Sequence, residues 1–157
     1  MKFLNYLAIA AIALCTVSCD DDDDPVKEEV VAPAELVAGS YQGGLTMAVG
    51  KPGEPTDATV EVKAQTDGKL TVIMPEAGSG KMSMPKLELK DVKLEKVSEN
   101  EYKLTKEAFV IENPGMPLVN EKGLSGTLKN DVLELTYDIK PGEMPMSIVF
   151  GFKGTKK

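Results

Sequence analysis

Histidine, tryptophan and arginine are absent from the 157-residue chain, so every one of its 18 basic side chains is a lysine. Without imidazole, Ser40, Ser79, Ser83, Ser98, Ser125 and Ser147 have no His to activate them as nucleophiles. Without guanidinium forks or a basic stripe, and with aromatics at 5%, the chain has no means of reading or stacking on nucleic acid. Cysteine occurs only at Cys15 and Cys19, so the rest of the chain can form neither a disulfide nor a thiolate metal site. Glu61, Glu88, Glu95 and Glu134 alternate with apolar neighbours and are expected to face solvent. Glycoside hydrolysis would need two carboxylates about 5–10 Å apart across one cleft. Gly78-Ser79-Gly80-Lys81 has the look of a phosphate loop's tail, but Pro75 stands where its first Gly belongs and Met82 where Ser or Thr would hold magnesium. The residues predict no enzyme, no catalytic residues, no cofactor and no dedicated metal site.

The acidity is local. The formal net charge is −7, yet Asp20 to Asp24, Glu28 and Glu29 supply 7 of the 25 acids. From Ala34 onward 18 acids meet 16 lysines, a net of −2, so the body of the protein offers no field to a cationic partner.

What is present begins with Lys2, an apolar run from Leu7 to Leu14, and small residues ahead of Cys19. The run is too short for a bilayer helix, which needs about 20 residues, and reads as a secretory signal peptide over 1–18. Thr16-Val17-Ser18-Cys19 resembles the lipobox of bacterial lipoproteins, with Thr16 where Leu is usual. Cys15 is a poorer match, since Leu14 precedes it. The resemblance implies lipidation of Cys19 and attachment to the membrane through acyl chains, each buried methylene contributing about 0.8 kcal/mol. Asp20, Asp21, Asp22, Asp23 and Asp24 repel one another and begin a flexible tether over 19–37. The tether's mean reach is about 20–25 Å. Such an acidic run behind the lipidated cysteine is similar to the surface-export signal of lipoproteins in gut-type Gram-negative anaerobes. That implies an outer-membrane protein displayed at the cell surface, with the periplasmic face as the alternative.

Residues 38–157 suit one domain. Their apolar positions recur with period two, the mark of half-buried strands. Tyr41, Gly43, Leu45, Met47 and Val49 share a face; Ala58, Val60, Val62 and Ala64 follow, then Leu70, Val72 and Met74. Asp67-Gly68 predicts a type I′ hairpin. Shifts of register at Pro85 and near Lys90-Asp91 predict β-bulges. Met82 to Val97, Tyr102 to Ile111, Leu124 to Leu128, Leu133 to Ile139, and Met144 to Phe152 complete eight strands, with no useful helix. Sequential hairpins predict an all-β, eight-stranded up-and-down antiparallel barrel, the two-sheet sandwich being second.

Ala38-Gly39-Ser40-Tyr41-Gln42-Gly43, the hairpin from Leu128 to Leu135, and the closing Phe150-Gly151-Phe152-Lys153-Gly154-Thr155-Lys156 resemble calycin-like, or lipocalin-like, domains of such lipoproteins. Gly39-Ser40-Tyr41 stands where lipocalins proper have Gly-x-Trp, and the Arg that packs on that Trp has no counterpart here. The resemblance implies a barrel that binds a lipid or other small hydrophobic molecule. The inward positions that would line its cavity are Tyr41, Leu45, Met47, Val60, Val62, Val72, Met74, Leu104, Leu135, Tyr137, Met146, Ile148 and Phe150. Gly43, Ala58, Ala64 and Gly126 would leave room, and adaptable thioethers would shape it. The alternative is a filled barrel serving as a non-catalytic subunit for a cell-surface protein partner. A minor alternative is Cu(I) binding by Met82-Ser83-Met84 or Met144-Pro145-Met146, since thioethers are soft ligands.

Overall fold

The computed structural model describes residues 32–80 and 83–157. The signal peptide, Cys19 and the aspartate run lie outside the described residues. A short helix α1 (Pro33–Val37) precedes eleven strands: β1 (Gly39–Val49), β2 (Lys51–Pro52), β3 (Thr56–Ala64), β4 (Leu70–Met74), β5 (Leu87–Ser98), β6 (Glu101–Lys106), β7 (Phe109–Ile111), β8 (Leu118–Asn120), β9 (Leu124–Lys129), β10 (Val132–Pro141) and β11 (Ile148–Lys156).

Eight of these close a barrel in the order β1-β3-β4-β5-β6-β9-β10-β11, and β11 returns to β1 from Tyr41↔Lys156 to Ala48↔Val149. All these pairings are antiparallel and follow chain order once the short β2, β7 and β8 are set aside. Closure between first and last strands rules out the sandwich. Period two in the sequence becomes inside and outside in the wall. On β10, Leu133, Leu135, Tyr137 and Ile139 are buried while Glu134 and Thr136 between them are exposed.

Several expectations need correction. The tether does not run to 37: α1 packs Ala34 and Val37 into the core, at 2% and 0% exposure, with Pro33 at its start where a missing N–H costs nothing. The Asp67-Gly68 hairpin is not type I′, because only Gly68 of the two has positive φ (78°) and the loop closes from Gln65 to Lys69. The paired left-handed residues lie instead at Asn130 and Asp131 (φ 49° and 63°), the two-residue turn between β9 and β10. Met144 and Met146 do not belong to the last strand. Pro145 lacks a ladder N–H and Pro141 to Met144 forms a turn, so β11 starts at Ile148. The bulge is where the register predicts it: Leu70 pairs Val92 but Val72 pairs Leu89, and Asp91 takes φ 59°.

β7 and β8 form a hairpin absent from the eight-strand count. β9 begins at Leu124, opposite Tyr137, so the last residues of β10 have no β9 partner; β8 takes them, Lys140↔Val119 and Pro141↔Leu118. β7 pairs β8, and among the described residues no strand pairing joins β7 to β5. The wall is thus a complete ring at one end and an interrupted one at the other.

Candidate functional site

The interior comes first, because it is where a ligand would sit. Eleven of the thirteen positions expected to line a cavity are closed off: Tyr41, Val60, Val72, Met74, Leu104 and Phe150 at 0% exposure, and Leu45, Val62, Leu135, Tyr137 and Ile148 at 3% or less. A side chain facing a void wide enough for water would expose surface into it. These expose essentially none, so they fill the space between them, as an eight-stranded barrel can. Tyr137 and Phe150, cross-strand neighbours on β10 and β11, stack with ring centroids 5.0 Å apart and planes 8° from parallel. The gaps expected beside glycine are occupied: a Cβ on Gly126 would collide with Leu135 Cδ2, and one on Gly43 with the backbone of Lys153 and Gly154. Met47 packs against the core only partly buried. Ala64 is exposed at the end of β3. Met146, at 51% exposure, is outside the core altogether, because its residue precedes β11 rather than belonging to it.

At the complete end of the ring α1 acts as a plug. The Tyr41 hydroxyl donates to Val37 O at 2.6 Å, and Lys156 Nζ donates to Leu36 O at 2.7 Å. These carbonyls lie in the last turn of the helix, where no further N–H is available to them. Burial pushes the Tyr41 phenol up to about 12, the Asp131 carboxylate adding to the effect. Tyr137 is also raised, by burial alone.

The other end, the mouth, is built differently. The connections from β1 to β3, β4 to β5, β6 to β9 and β10 to β11 lie there. Asp138 points outward by parity yet is 4% exposed. Asn120 of β8 binds it, Nδ2 donating to Asp138 O (2.7 Å), Asp138 Oδ1 (3.0 Å) and Gly123 O (3.1 Å), while Gly123 N donates to Asn120 Oδ1 (2.6 Å). Asp138 Oδ2 has no hydrogen-bond partner among the described residues. This knot fastens the β7–β8 hairpin to β10. Its only trace in the sequence is an acid between Tyr137 and Ile139, which reads as an ordinary solvent-facing residue. Met84, expected beside Met82 as a metal ligand, is 2% exposed and its backbone bridges Ala77.

The outer wall is polar and paired. Glu134 and Lys153, opposite each other on β10 and β11, are 2.6 Å apart, and Glu88 and Glu95 are exposed. Across β1, β10 and β11 a surface hollow of about 400 Å³ is lined by Gly44, Thr46, Pro55, Thr136, Gly151 and Lys153, among others.

Among curated proteins none matches the chain. A crystal structure from Bacteroides fragilis NCTC 9343, of a protein provisionally described as an outer membrane protein, shares the fold at a TM-score of 0.65 and 23% identity. The match covers 80% of this chain and 53% of that one, so the chain spans about half the length of its structural neighbour. The family described as Calycin-like beta-barrel domain matches residues 37–155, the span from the end of the α1 plug to the last strand. On that match and on the closed eight-stranded ring, the chain belongs to the calycin-like β-barrel domain family.

Proposed function

We propose that the protein is an outer-membrane lipoprotein, anchored through acyl chains on Cys19 and displayed at the cell surface, whose filled barrel serves as a non-catalytic interaction subunit. The observation that carries this reading over ligand carriage is the closure of eleven of the thirteen expected cavity positions. A carrier needs a cleft or cavity of about 300–1,000 Å³, and these side chains use that room themselves.

The tether fits the same arrangement. It runs directly into α1, which is pinned into the complete end of the ring by Tyr41 and Lys156. The mouth and its loops lie at the end of the barrel opposite α1, available to a partner protein on the cell surface. The provisional description of the structural neighbour as an outer membrane protein supports the location.

Two experiments test this. Native mass spectrometry of the protein after incubation with a total lipid extract is expected to give the bare chain. A stoichiometric lipid adduct would overturn the filled-barrel reading and restore the apolar carrier. Cys19→Ser is expected to abolish incorporation of labelled palmitate and to move the protein from the membrane to the soluble fraction. An unchanged membrane fraction would remove the anchor.

A further inference from the structure

The mouth gathers the methionines. Met47 lies two residues before the end of β1, Met74 ends β4, Met84 precedes β5, and Met116, Met144 and Met146 lie on the loops around β8 and β10. Met74 and Met84 are closed off at 0% and 2% exposure, so their sulfurs serve packing. Met144 and Met146, at 37% and 51%, do not, although an apolar side chain gains from burial.

These two belong to a pair of loops held together. Gly142 N donates to Pro117 O at 2.8 Å, while Met116 N→Asn113 O (3.0 Å) and Met144 N→Pro141 O (3.1 Å) close a turn in each loop. Met116 lies against the opposite loop: its Cγ would be 3.3 Å from a Cβ placed on Gly142. Met144 is two residues further on, and Met146 follows across Pro145. Three thioethers thus occupy two adjoining, hydrogen-bonded loops, partly or largely exposed. Each has three rotatable bonds with which to aim its sulfur.

We propose that Met116, Met144 and Met146 form a site for a soft monovalent cation, Cu(I). Thioether sulfur selects Cu(I) over the harder divalent ions, which prefer oxygen and imidazole. The domain has no histidine or cysteine to draw the metal elsewhere, and exposed Glu143 places a negative charge between the two loop methionines and Gly142. Loading is simple coordination with no redox step. The site is independent of the filled-barrel reading, since it uses only the loops of the mouth.

The test is a titration of the chain carrying Cys15→Ser and Cys19→Ser, so that no thiol competes, with Cu(I) against a chromophoric Cu(I) chelator, repeated with Met116→Leu, Met144→Leu and Met146→Leu added singly and together. Leucine keeps the apolar bulk, and circular dichroism checks that each variant folds. One equivalent is expected, with each single change weakening binding tenfold or more and the triple change abolishing competition. In spectra of methyl-labelled methionine, Ag(I) as a stable stand-in should shift these three methyl signals and leave Met74 and Met84 unmoved. No Cu(I) withdrawn from the chelator would overturn the proposal. So would equal competition by the triple variant, or shifts confined to other methionines.

Discussion

The two ends of the barrel are built on opposite plans. At the plugged end, β3–β4, β5–β6 and β9–β10 are joined by tight hairpins, the wall is a full ring, and α1 fits against buried Val37 and Tyr41. At the mouth the connections are long, eight of the ten prolines fall in them or beside them, and ladder continuity is lost between β5 and β7. One end is held by short-range backbone geometry and an apolar plug. The other is held by one buried polar knot and by methionine. The same wall therefore carries a rigid attachment side and an adaptable side, and local stability should differ between them.

The largest test of the contrast strikes the shared interior. Phe150→Ala removes a fully buried ring stacked on Tyr137 and is expected to cost about 3–5 kcal/mol in urea unfolding. It should also create a cavity that takes up a small apolar probe such as benzene, as dry engineered cavities do. The unaltered protein should take up none; equal uptake by both would mean that the barrel was never filled.

Next in size is the mouth's knot. Asn120→Ala strips Asp138 of its side-chain partner and leaves the Gly123 amide unpaired, an expected loss of roughly 3 kcal/mol, more than a neutral bond because a carboxylate is stranded. Asn120→Ala with Asp138→Ala should cost less than Asn120→Ala alone, since the orphaned acid is gone. Hydrogen exchange should quicken first in β7 and β8, while α1 and the tight hairpins stay protected. Uniform loss of protection would erase the distinction between the two ends.

The barrel was legible because its evidence is local. Alternation along Leu133–Ile139 and the extra residue at Lys90-Asp91 both dictate backbone geometry without help from distant residues. The candidate site was much less so. Gly126 reads as empty space until Leu135 is known to lie against it, and Asp138 reads as solvent-facing until the β8 hairpin covers it. Val37 reads as tether because a five-residue helix has too few positions for a period to show. All three depend on which strands meet, which the pattern along one strand does not contain.

Tyr41→Phe tests the plugged end. It leaves Val37 O without its donor, an expected loss of about 1–3 kcal/mol. It should also alter the alkaline limb of the stability curve. The folded phenol is raised to about 12 from an ordinary 10, so its contribution is complete below pH 10 and declines as pH climbs from 10 through 12. The variant should lose stability less steeply over that interval. Some decline will persist because Tyr137 is raised as well. Identical alkaline slopes would mean that Tyr41 is as accessible to solvent in the folded chain as in the unfolded one.

The smallest effect separates plug from strap. Lys156 reaches across Gly39 to Leu36 O, but its bond is exposed and water replaces it readily. If α1 is seated by the burial of Ala34, Val37 and Tyr41, Lys156→Met keeps the stem that packs on Gly39 and should cost no more than about 0.5 kcal/mol, as surface changes usually do. Exchange of the Ala38 amide, which donates to Ala34 O, should scarcely change. A loss of 2 kcal/mol or more, the scale of a buried partner's removal, would mean that the lysine holds the helix in place. The plugged end would then depend, like the mouth, on a single polar contact.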